Sequence, residues 1–272
     1  MALNLSYLQE KYHIMRFVQL LFLQFFGILC FSQSKVHLQT FAGLEGGIML
    51  SIPRIEDSGN QLLSKWANNG CLGFVVKQEI YSNLYISLGA NTQKYNVSFR
   101  FKDDDATTSF KKINLIRFPL KVAYEIPLKF GVPELQVGLS VGLNYYLNQN
   151  PGLSDSKSGF IGSDIKNSYY KLDSKYSDEK FGMQVDGAAY LNILMAKGTV
   201  LTIGTAYYYG VKDLLTSSVI YKKAEGFQEI SSKINGKADM LSIWIGVHYP
   251  ISKWWRKRNA LDETEQENFF KR

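Results

Sequence analysis

The sequence contains little cysteine, histidine or proline, and these shortages exclude several classes of protein. Two cysteines are too few for a disulfide-based fold or for a zinc site built from cysteine. Three histidines, far apart in the chain, leave little for a histidine-rich metal site. Only 6 prolines accompany 22 glycines, 17 tyrosines and 17 phenylalanines, which favours turn-rich β structure. We therefore predict an all-β protein with no metal and no cofactor.

Charge and hydropathy exclude further classes. Apolar residues make up 46% of the chain and charged residues 20%, so the chain is not disordered. A mean hydropathy of −0.13 excludes a bundle of membrane-spanning helices. The net charge of +7 comes from dispersed basic residues, and no recognition motif for nucleic acid accompanies the dense basic run at 253–258. We therefore predict that nucleic acid is not a partner.

The longest apolar run, 17–31, is shorter than the ~20 residues that a membrane-spanning helix needs. Arg16 precedes it, and the small residues Cys30 and Ser32 stand at −3 and −1 of a cleavage site before Gln33. A basic start, an apolar middle and small residues at the cut are typical of a secretory signal peptide. The sequence therefore predicts a signal peptide over 1–32, with cleavage near Ser32. A buried helix and a lipoprotein reading of Cys30 are weaker alternatives.

The start of the signal peptide has two interpretations. Met15, directly before Arg16, is a natural start, and residues 1–14 are then an upstream extension of the reading frame. Alternatively, they form a longer N-terminal region of the signal peptide. After cleavage, Cys71 is the only cysteine that remains, so we expect its thiol to be buried.

From Gln33 onward, eight segments alternate with the period of two residues that marks a β-strand. They cover approximately 38–50, 70–80, 84–97, 111–126, 134–147, 180–194, 201–209 and 241–249. Short connections alternate with long polar ones at about 51–69, 98–110, 148–179 and 213–236. This pattern predicts an eight-stranded antiparallel up-and-down transmembrane β-barrel over 33–252, with a periplasmic tail at 253–272.

Two features favour a membrane barrel over the alternative, a soluble lipocalin-like barrel. The strands are long enough to cross a bilayer when tilted, and tyrosines and tryptophans cluster near their ends, including Tyr145, Tyr146 and Tyr207–Tyr209. In addition, the less apolar face holds glycine, serine, alanine, asparagine and glutamine, whereas the outer surface of a soluble barrel would be rich in lysine and glutamate. Trp254 and Trp255 are predicted to anchor the chain at the periplasmic interface.

The predicted inward face carries charges of both signs. These residues are Glu45, Lys77, Glu79, Arg117, Lys121, Glu125, Asp186 and His248. Eight strands leave an interior just wide enough for side chains, and a charge buried there is costly unless it is paired. We therefore predict an internal network of ion pairs. A narrow gated channel that uses the same residues is the alternative.

An enzyme is another alternative, since some small outer-membrane barrels modify lipids. Such an enzyme needs a nucleophile beside a base, and His248 is the only histidine within a predicted strand. No serine stands two residues from it, and a partner on another strand, such as Ser140, is the remaining alternative. We predict that the protein is not an enzyme.

The long loops carry the remaining predictions. Tyr169, Tyr170 and Tyr176 either form a contact surface on the third loop or pack within it. Asp103–Asp105 stand among basic residues and indicate a solvated loop rather than a cation site.

The strands in order resemble the PorT-like outer-membrane β-barrel family. The resemblance is carried by the Phe118-Pro119-Leu120 strand centre, the Gly-rich strand after it and the Tyr-x-x-Gly pattern over Tyr207–Val211. The end of the signal peptide, Phe31-Ser32-Gln33, is also typical of that family's host bacteria. The residues after the last strand, 252–272, depart from the pattern, because many such barrels end there.

The resemblance implies an integral outer-membrane protein in contact with outer-membrane lipid. Some members of the family serve type IX secretion and gliding. We therefore predict a non-enzymatic structural or interaction role, with envelope or secretion-complex proteins as partners.

Overall fold

The computed structural model describes residues 39–102, 107–128, 135–161, 168–195, 198–222 and 228–251. The predicted signal peptide at 1–32, the tail at 253–272 with Trp254 and Trp255, and Asp103–Asp105 lie outside the described residues.

The described part of the chain forms sixteen β-strands. In chain order they are β1 (Thr40–Ser51), β2 (Arg54–Glu56), β3 (Leu62–Lys65), β4 (Ala67–Tyr81), β5 (Leu84–Tyr95), β6 (Ser98–Phe101), β7 (Thr107–Ser109), β8 (Ile113–Leu128), β9 (Leu135–Asn148), β10 (Ser154–Phe160), β11 (Tyr169–Tyr176), β12 (Phe181–Leu194), β13 (Val200–Gly210), β14 (Leu215–Lys222), β15 (Ile230–Gly236) and β16 (Met240–Pro250).

Eight of these strands close into a barrel in the order β1-β16-β13-β12-β9-β8-β5-β4. Each neighbouring pair is antiparallel, and β1 completes the closure by pairing with both β4 and β16. The eight strands match the eight segments found from sequence periodicity. The prediction of an eight-stranded antiparallel barrel is therefore confirmed.

The apolar faces of the strands point out of the barrel and the small and polar faces point into it. On β9, Leu139, Val141 and Leu143 are exposed, whereas Ser140 and Asn144 between them are buried. Large apolar side chains are exposed in this way on seven of the eight barrel strands, all except β5. A water-soluble barrel has the opposite arrangement, so the lipocalin-like alternative does not hold.

The aromatic residues near the strand ends divide between the two faces, which corrects part of the sequence interpretation. Tyr145, Tyr207 and Tyr209 are exposed on the outside of the barrel, as expected for residues at a lipid interface. Tyr146 and Tyr208 point inward and are almost fully buried. The period of two places adjacent residues on opposite faces, so a run of tyrosines cannot lie on one surface.

No helix in the described part of the chain is long and apolar enough to span a membrane.

The long connections are not open loops. Each contributes two strands, and together β2, β3, β6, β7, β10, β11, β14 and β15 form what we call the loop cap. Five of these strands form a sheet in the order β10-β11-β14-β15-β2, and the other three form the sheet β3-β6-β7. The sequence analysis identified these segments only as long polar connections and did not predict their strands.

A hydrophobic core joins the two sheets of the loop cap to the adjoining end of the barrel. The ring of Phe101 on the smaller sheet lies 5.6 Å from that of Tyr170 and 5.4 Å from that of Tyr221, both on the larger sheet. The same cluster of buried residues includes Met49 and Met240 on barrel strands. The packing therefore fixes the cap on the barrel.

Asp57, in the first long connection, is the main polar link within the loop cap. Its Oδ1 accepts hydrogen bonds from the hydroxyls of Tyr221 and Ser232, at 2.8 and 2.5 Å. Its Oδ2 accepts from the backbone N–H groups of Gln61 and Leu62, at 2.6 and 2.7 Å. One carboxylate thus joins its own connection to strands β14 and β15.

These hydrogen bonds determine the charge state of Asp57. Burial alone would raise the pKa of the carboxyl, but the bonds from Ser232, Leu62, Tyr221 and Gln61 outweigh burial and lower the pKa below its ordinary value of 3.8. A carboxyl whose pKa is lower in the folded state stabilises that state above its unfolded pKa. The contribution is lost as the pH falls through the folded value.

We expect Asp57→Asn to destabilise the loop cap by about 1–3 kcal/mol near neutral pH, because the amide carries no charge and offers one acceptor oxygen instead of two. Amide hydrogen exchange at Gln61 and Leu62, corrected for the intrinsic pH dependence, measures the effect. In the wild type, protection of these amides should decrease when the pH is lowered below about 4. In the variant, protection should already be reduced at neutral pH. The exposed Asp213 provides the control Asp213→Asn, which should behave as the wild type. Equal protection in all three proteins would contradict the assignment.

Candidate functional site

The barrel interior holds the predicted charged residues, and the first group centres on Lys77. Its ammonium forms an ion pair with Glu125, which is buried on β8. It also lies 4.1 Å from the ring centroid of Tyr85 and 5.8 Å from that of Tyr190. The Tyr190 hydroxyl donates a 2.8 Å hydrogen bond to Oε1 of Glu125. Both the cation and the anion of this Lys77 cluster therefore have partners inside the barrel.

The second group centres on Asp186 and lies nearer the loop cap. Asp186 Oδ1 accepts a 2.5 Å hydrogen bond from Nδ2 of Asn144, and Oδ2 lies 3.5 Å from the Lys121 ammonium. The guanidinium of Arg117 lies 4.2 Å from the ring centroid of Tyr208. Its Nε donates a 3.0 Å hydrogen bond to Oδ1 of Asn91. In this Asp186 cluster, an ion pair, amide groups and an aromatic face replace the water that these charges would otherwise bind.

Three predicted residues are placed outside the two clusters. Nε2 of His248 lies 3.6 Å from Oε1 of Glu45, so these two side chains face each other across the β1–β16 pair. Glu79 lies at the short-turn end, where its Oε1 accepts a 3.2 Å hydrogen bond from the backbone N–H of Asn83. Asn83 has a φ of 62°, a left-handed conformation that asparagine tolerates better than most residues. Glu79 therefore stabilises a turn.

Two glycines on β9 make room for these side chains. A Cβ at Gly138 would overlap the ring of Tyr190. A Cβ at Gly142 would lie 2.6 Å from Oδ1 of Asp186 and 2.7 Å from Cγ of Lys121. The glycines of this strand thus allow both clusters to cross the barrel.

Two small cavities lie beside the clusters in the described part of the chain. One cavity of about 40 Å³ is bounded by Lys77, Tyr190, Trp244 and His248 among others. A second, of about 20 Å³, is bounded by Arg117, Tyr208 and Trp244 among others. Since one water needs about 10–15 Å³ of such space, these volumes suit a few waters rather than a solute.

The described residues contain no group of three or more His, Cys, Asp and Glu side chains placed to hold a metal ion. The Cys71 thiol is half-buried on the inward face of β4, and it is a free cysteine. The ring nitrogens of His248 form no hydrogen bond with any group in the described part of the chain. The interior chemistry there consists of ion pairs, hydrogen bonds and cation–π contacts.

The three tyrosines of the third long connection do not share one surface. Tyr176 is fully buried, and its hydroxyl donates a hydrogen bond to the backbone oxygen of Lys111. Tyr170 packs against Phe101 in the cap core. Only Tyr169 is exposed, and its hydroxyl bonds to Glu229. The alternative of packing within the loop therefore describes Tyr170 and Tyr176, and a contact role stays a prediction for Tyr169 alone.

Sequence reasoning missed several residues that hold the site together. Tyr190 and Tyr208 supply the ring faces and a hydroxyl, and both occupy positions that the period of two already assigns to the interior. In the loop cap, Arg54 forms a 2.9 Å ion pair with Asp239, and Asp239 accepts a 2.9 Å hydrogen bond from the backbone of Gly210. No local sequence pattern indicates the ion pair between Arg54 and Asp239, because its partners lie in different connections.

We expect Lys77→Met to lower the free energy of unfolding by about 3–5 kcal/mol, because it leaves the Glu125 carboxylate buried without its cation. The double variant Lys77→Met/Glu125→Leu should recover most of this loss, since it leaves no unpaired charge. Urea unfolding of the purified barrel in detergent measures both. The exposed pair Lys212–Glu179, at 3.0 Å, provides the control, and Lys212→Met should cost at most about 1 kcal/mol. A double variant no more stable than the single one would contradict the pairing.

Two solved structures show what the chain is similar to. The outer membrane protein OprG from Pseudomonas aeruginosa has a TM-score of 0.46 and 13% sequence identity, over 78% of this chain and 95% of that chain. A major outer membrane protein from Thermus thermophilus has a TM-score of 0.39 and 10% identity, over 79% of this chain and 99% of that chain. No family model and no curated protein matches the sequence. Membership of the PorT-like family therefore stays a prediction.

Proposed function

We propose that this protein is an integral outer-membrane barrel with a non-enzymatic structural or interaction role. The observation that carries the proposal is the outward apolar surface of the barrel. The exposed fractions of Val141, Leu72 and Ile243 are 66%, 65% and 60%. Val141 lies at the middle of β9, and Leu72 and Ile243 lie in the halves of β4 and β16 next to the long connections. A contiguous apolar surface of this kind is unfavourable in water and favourable in a bilayer.

The filled interior supports a structural or interaction role rather than a channel. The Lys77 and Asp186 clusters lie across the barrel at different heights, and the two cavities that the described residues enclose beside them measure about 40 and 20 Å³. Opening a path for ions would separate Lys77 from Glu125 and Lys121 from Asp186. Each separation would leave a charge without its partner, which costs several kcal/mol.

The surroundings of His248 also favour a non-enzymatic role. Glu45 faces the imidazole, but no nucleophile is hydrogen-bonded to it within the described residues. Ser140 and Thr202 border the same small cavity, which leaves no room for a lipid chain beside them. A nucleophile must lie next to its base and a bound substrate to react.

The loop cap provides the surface for an interaction role. In an outer-membrane barrel the short turns face the periplasm, so the cap lies outside the cell. The proposed export signal at 1–32 is consistent with this location. Because the cap shares a packed core with the adjoining end of the barrel, it presents a fixed surface rather than four independent loops. We propose envelope proteins as its partners, and the PorT-like resemblance favours components of a type IX secretion or gliding apparatus.

The location is tested by Val141→Lys at the middle of β9. A lysine there costs about 2–4 kcal/mol if the position faces the bilayer core, so the variant should reach the folded barrel less often. The folded fraction is measured as the band that shifts on boiling in a denaturing gel of the outer-membrane fraction. Phe160, exposed on the loop cap, provides the matched control Phe160→Lys, which should fold as the wild type. Full folding of Val141→Lys, or a soluble wild type with no shift, would refute the proposal.

Planar-bilayer recording tests the channel alternative, and the variant His248→Ala tests the enzyme alternative. We expect the wild-type barrel to show no single-channel steps, because the paired charges fill its interior. Trp244 borders both cavities, and Trp244→Ala should also show no steps, because it enlarges the cavities but leaves both ion pairs in place. The His248→Ala strain should keep the wild-type envelope phenotype. Steps in the wild type would support a channel, and a lost phenotype in a folded His248→Ala barrel would support an enzyme.

A further inference from the structure

A groove of about 550 Å³ lies on the outside of the barrel wall, across β4, β5 and β8 at their loop-cap ends. Its outward-facing lining residues are Gly70, Leu72, Thr92, Lys94, Asn114 and Ile116, and Gln149 closes it beyond β9. The groove is more than ten times larger than either cavity inside the barrel. It is separate from the charged interior, because the wall of the barrel lies between them.

The groove is open beside Gly70, a residue of β4 that has no side chain to fill it. A Cβ at Gly70 would meet no atom within 4 Å, so the space beside this residue is open. On β5, the long side chain of Lys94 is exposed beside Asn114 of β8, its partner in the register. A gap next to a projecting cation is a shape that a ligand headgroup can enter.

The lining changes from apolar to polar along the strands. On the short-turn side, Leu72 and Phe74 of β4 and Phe118 of β8 belong to the exposed apolar surface of the barrel. On the loop-cap side the outward residues are Lys94 and Asn114, both exposed. A ligand that fits this gradient has an apolar part along the wall and a polar head beside the loop cap.

The positive charge beside the groove favours a ligand with an anionic headgroup. Lys94 forms no ion pair within the described residues, and none of the residues that line the groove is acidic. Lys111 and Lys112, exposed directly before β8, add two positive charges at the same end. A phosphate oxygen can accept from the Lys94 ammonium and from the amide groups of Asn114 and Gln149.

We propose that this groove binds a membrane lipid with an anionic phosphate headgroup. The phosphate lies beside Lys94, and the acyl chains lie along Leu72, Phe74 and Phe118. The proposal rests on the proposed function, because a lipid reaches this surface only when the barrel lies in a bilayer. Its chemical basis is the match of one cation and two amide groups to the head, and of the apolar wall to the chains.

Native mass spectrometry of the detergent-purified barrel, titrated with phosphatidylglycerol and with phosphatidylcholine, tests the proposal. The wild type should bind phosphatidylglycerol more tightly. Lys94→Gln should weaken that binding roughly tenfold, since it removes one charge-assisted contact. Gly70→Phe should abolish it by filling the groove. The control for Lys94→Gln is Lys233→Gln, at an exposed lysine on the loop cap. The control for Gly70→Phe is Gly187→Phe on β12, where an added Cβ also meets no atom within 4 Å.

The outcomes separate the lipid from free phosphate and from the failure of the fold. Millimolar inorganic phosphate should not displace the lipid, because it lacks the apolar part; full displacement would overturn the lipid assignment. Equal binding by Lys94→Gln, Gly70→Phe and the wild type would also overturn it. All variants should keep the boiling-dependent gel shift, so loss of lipid binding with the shift intact is specific to the groove. A wild type without the shift would instead refute the proposed function.

Discussion

Closure of the sheet is the constraint on which the rest of the structure depends. β1 pairs with β16 from Phe41 opposite Pro250 to Ser51 opposite Met240, and on its other side with β4. The backbone groups of all eight strands are then bonded within the wall, and no edge remains. Only this condition allows the outside of the wall to be apolar, because no peptide group has to be solvated there. It also makes the interior narrow, so every charge that points inward needs a partner in the protein.

The interior follows from that narrowness. Lys77 and Glu125 lie on different strands, as do Lys121 and Asp186, so each ion pair bridges over one intervening strand of the wall and joins strands that are distant in sequence. Tyrosine rings cover the cations and glycines make room for the rings. Removing one charge therefore affects the packing of several strands, whereas an exposed pair on the loop cap affects only itself. The same arrangement that excludes solutes gives the wall its rigidity, and a rigid wall suits both a fixed loop cap and a shaped lipid groove.

Much of the fold was predictable and much of the site was not. The period of two identified all eight barrel strands and assigned each charged residue its face, because alternation is a local property of a strand. The strands of the loop cap were missed, although Leu215, Val219 and Tyr221 share the buried face of β14. Their short lengths and polar residues resemble loops. Asp57 was missed because its hydrogen-bond donors come from two connections that are far apart in the sequence, the first and the fourth, and no spacing in the sequence relates them.

The sequence by itself therefore determined the class of fold, the number of barrel strands and which side chains face inward. These properties depend on neighbours one or two positions away along a strand. Only the tertiary structure decided which charges pair, that Tyr176 is buried in the cap core, and that the space beside Gly70 opens next to Lys94. These contacts join residues of different strands and connections, and the register that brings them together is set by closure of the whole barrel. A local sequence pattern does not determine that register, because the register depends on all eight strands at once.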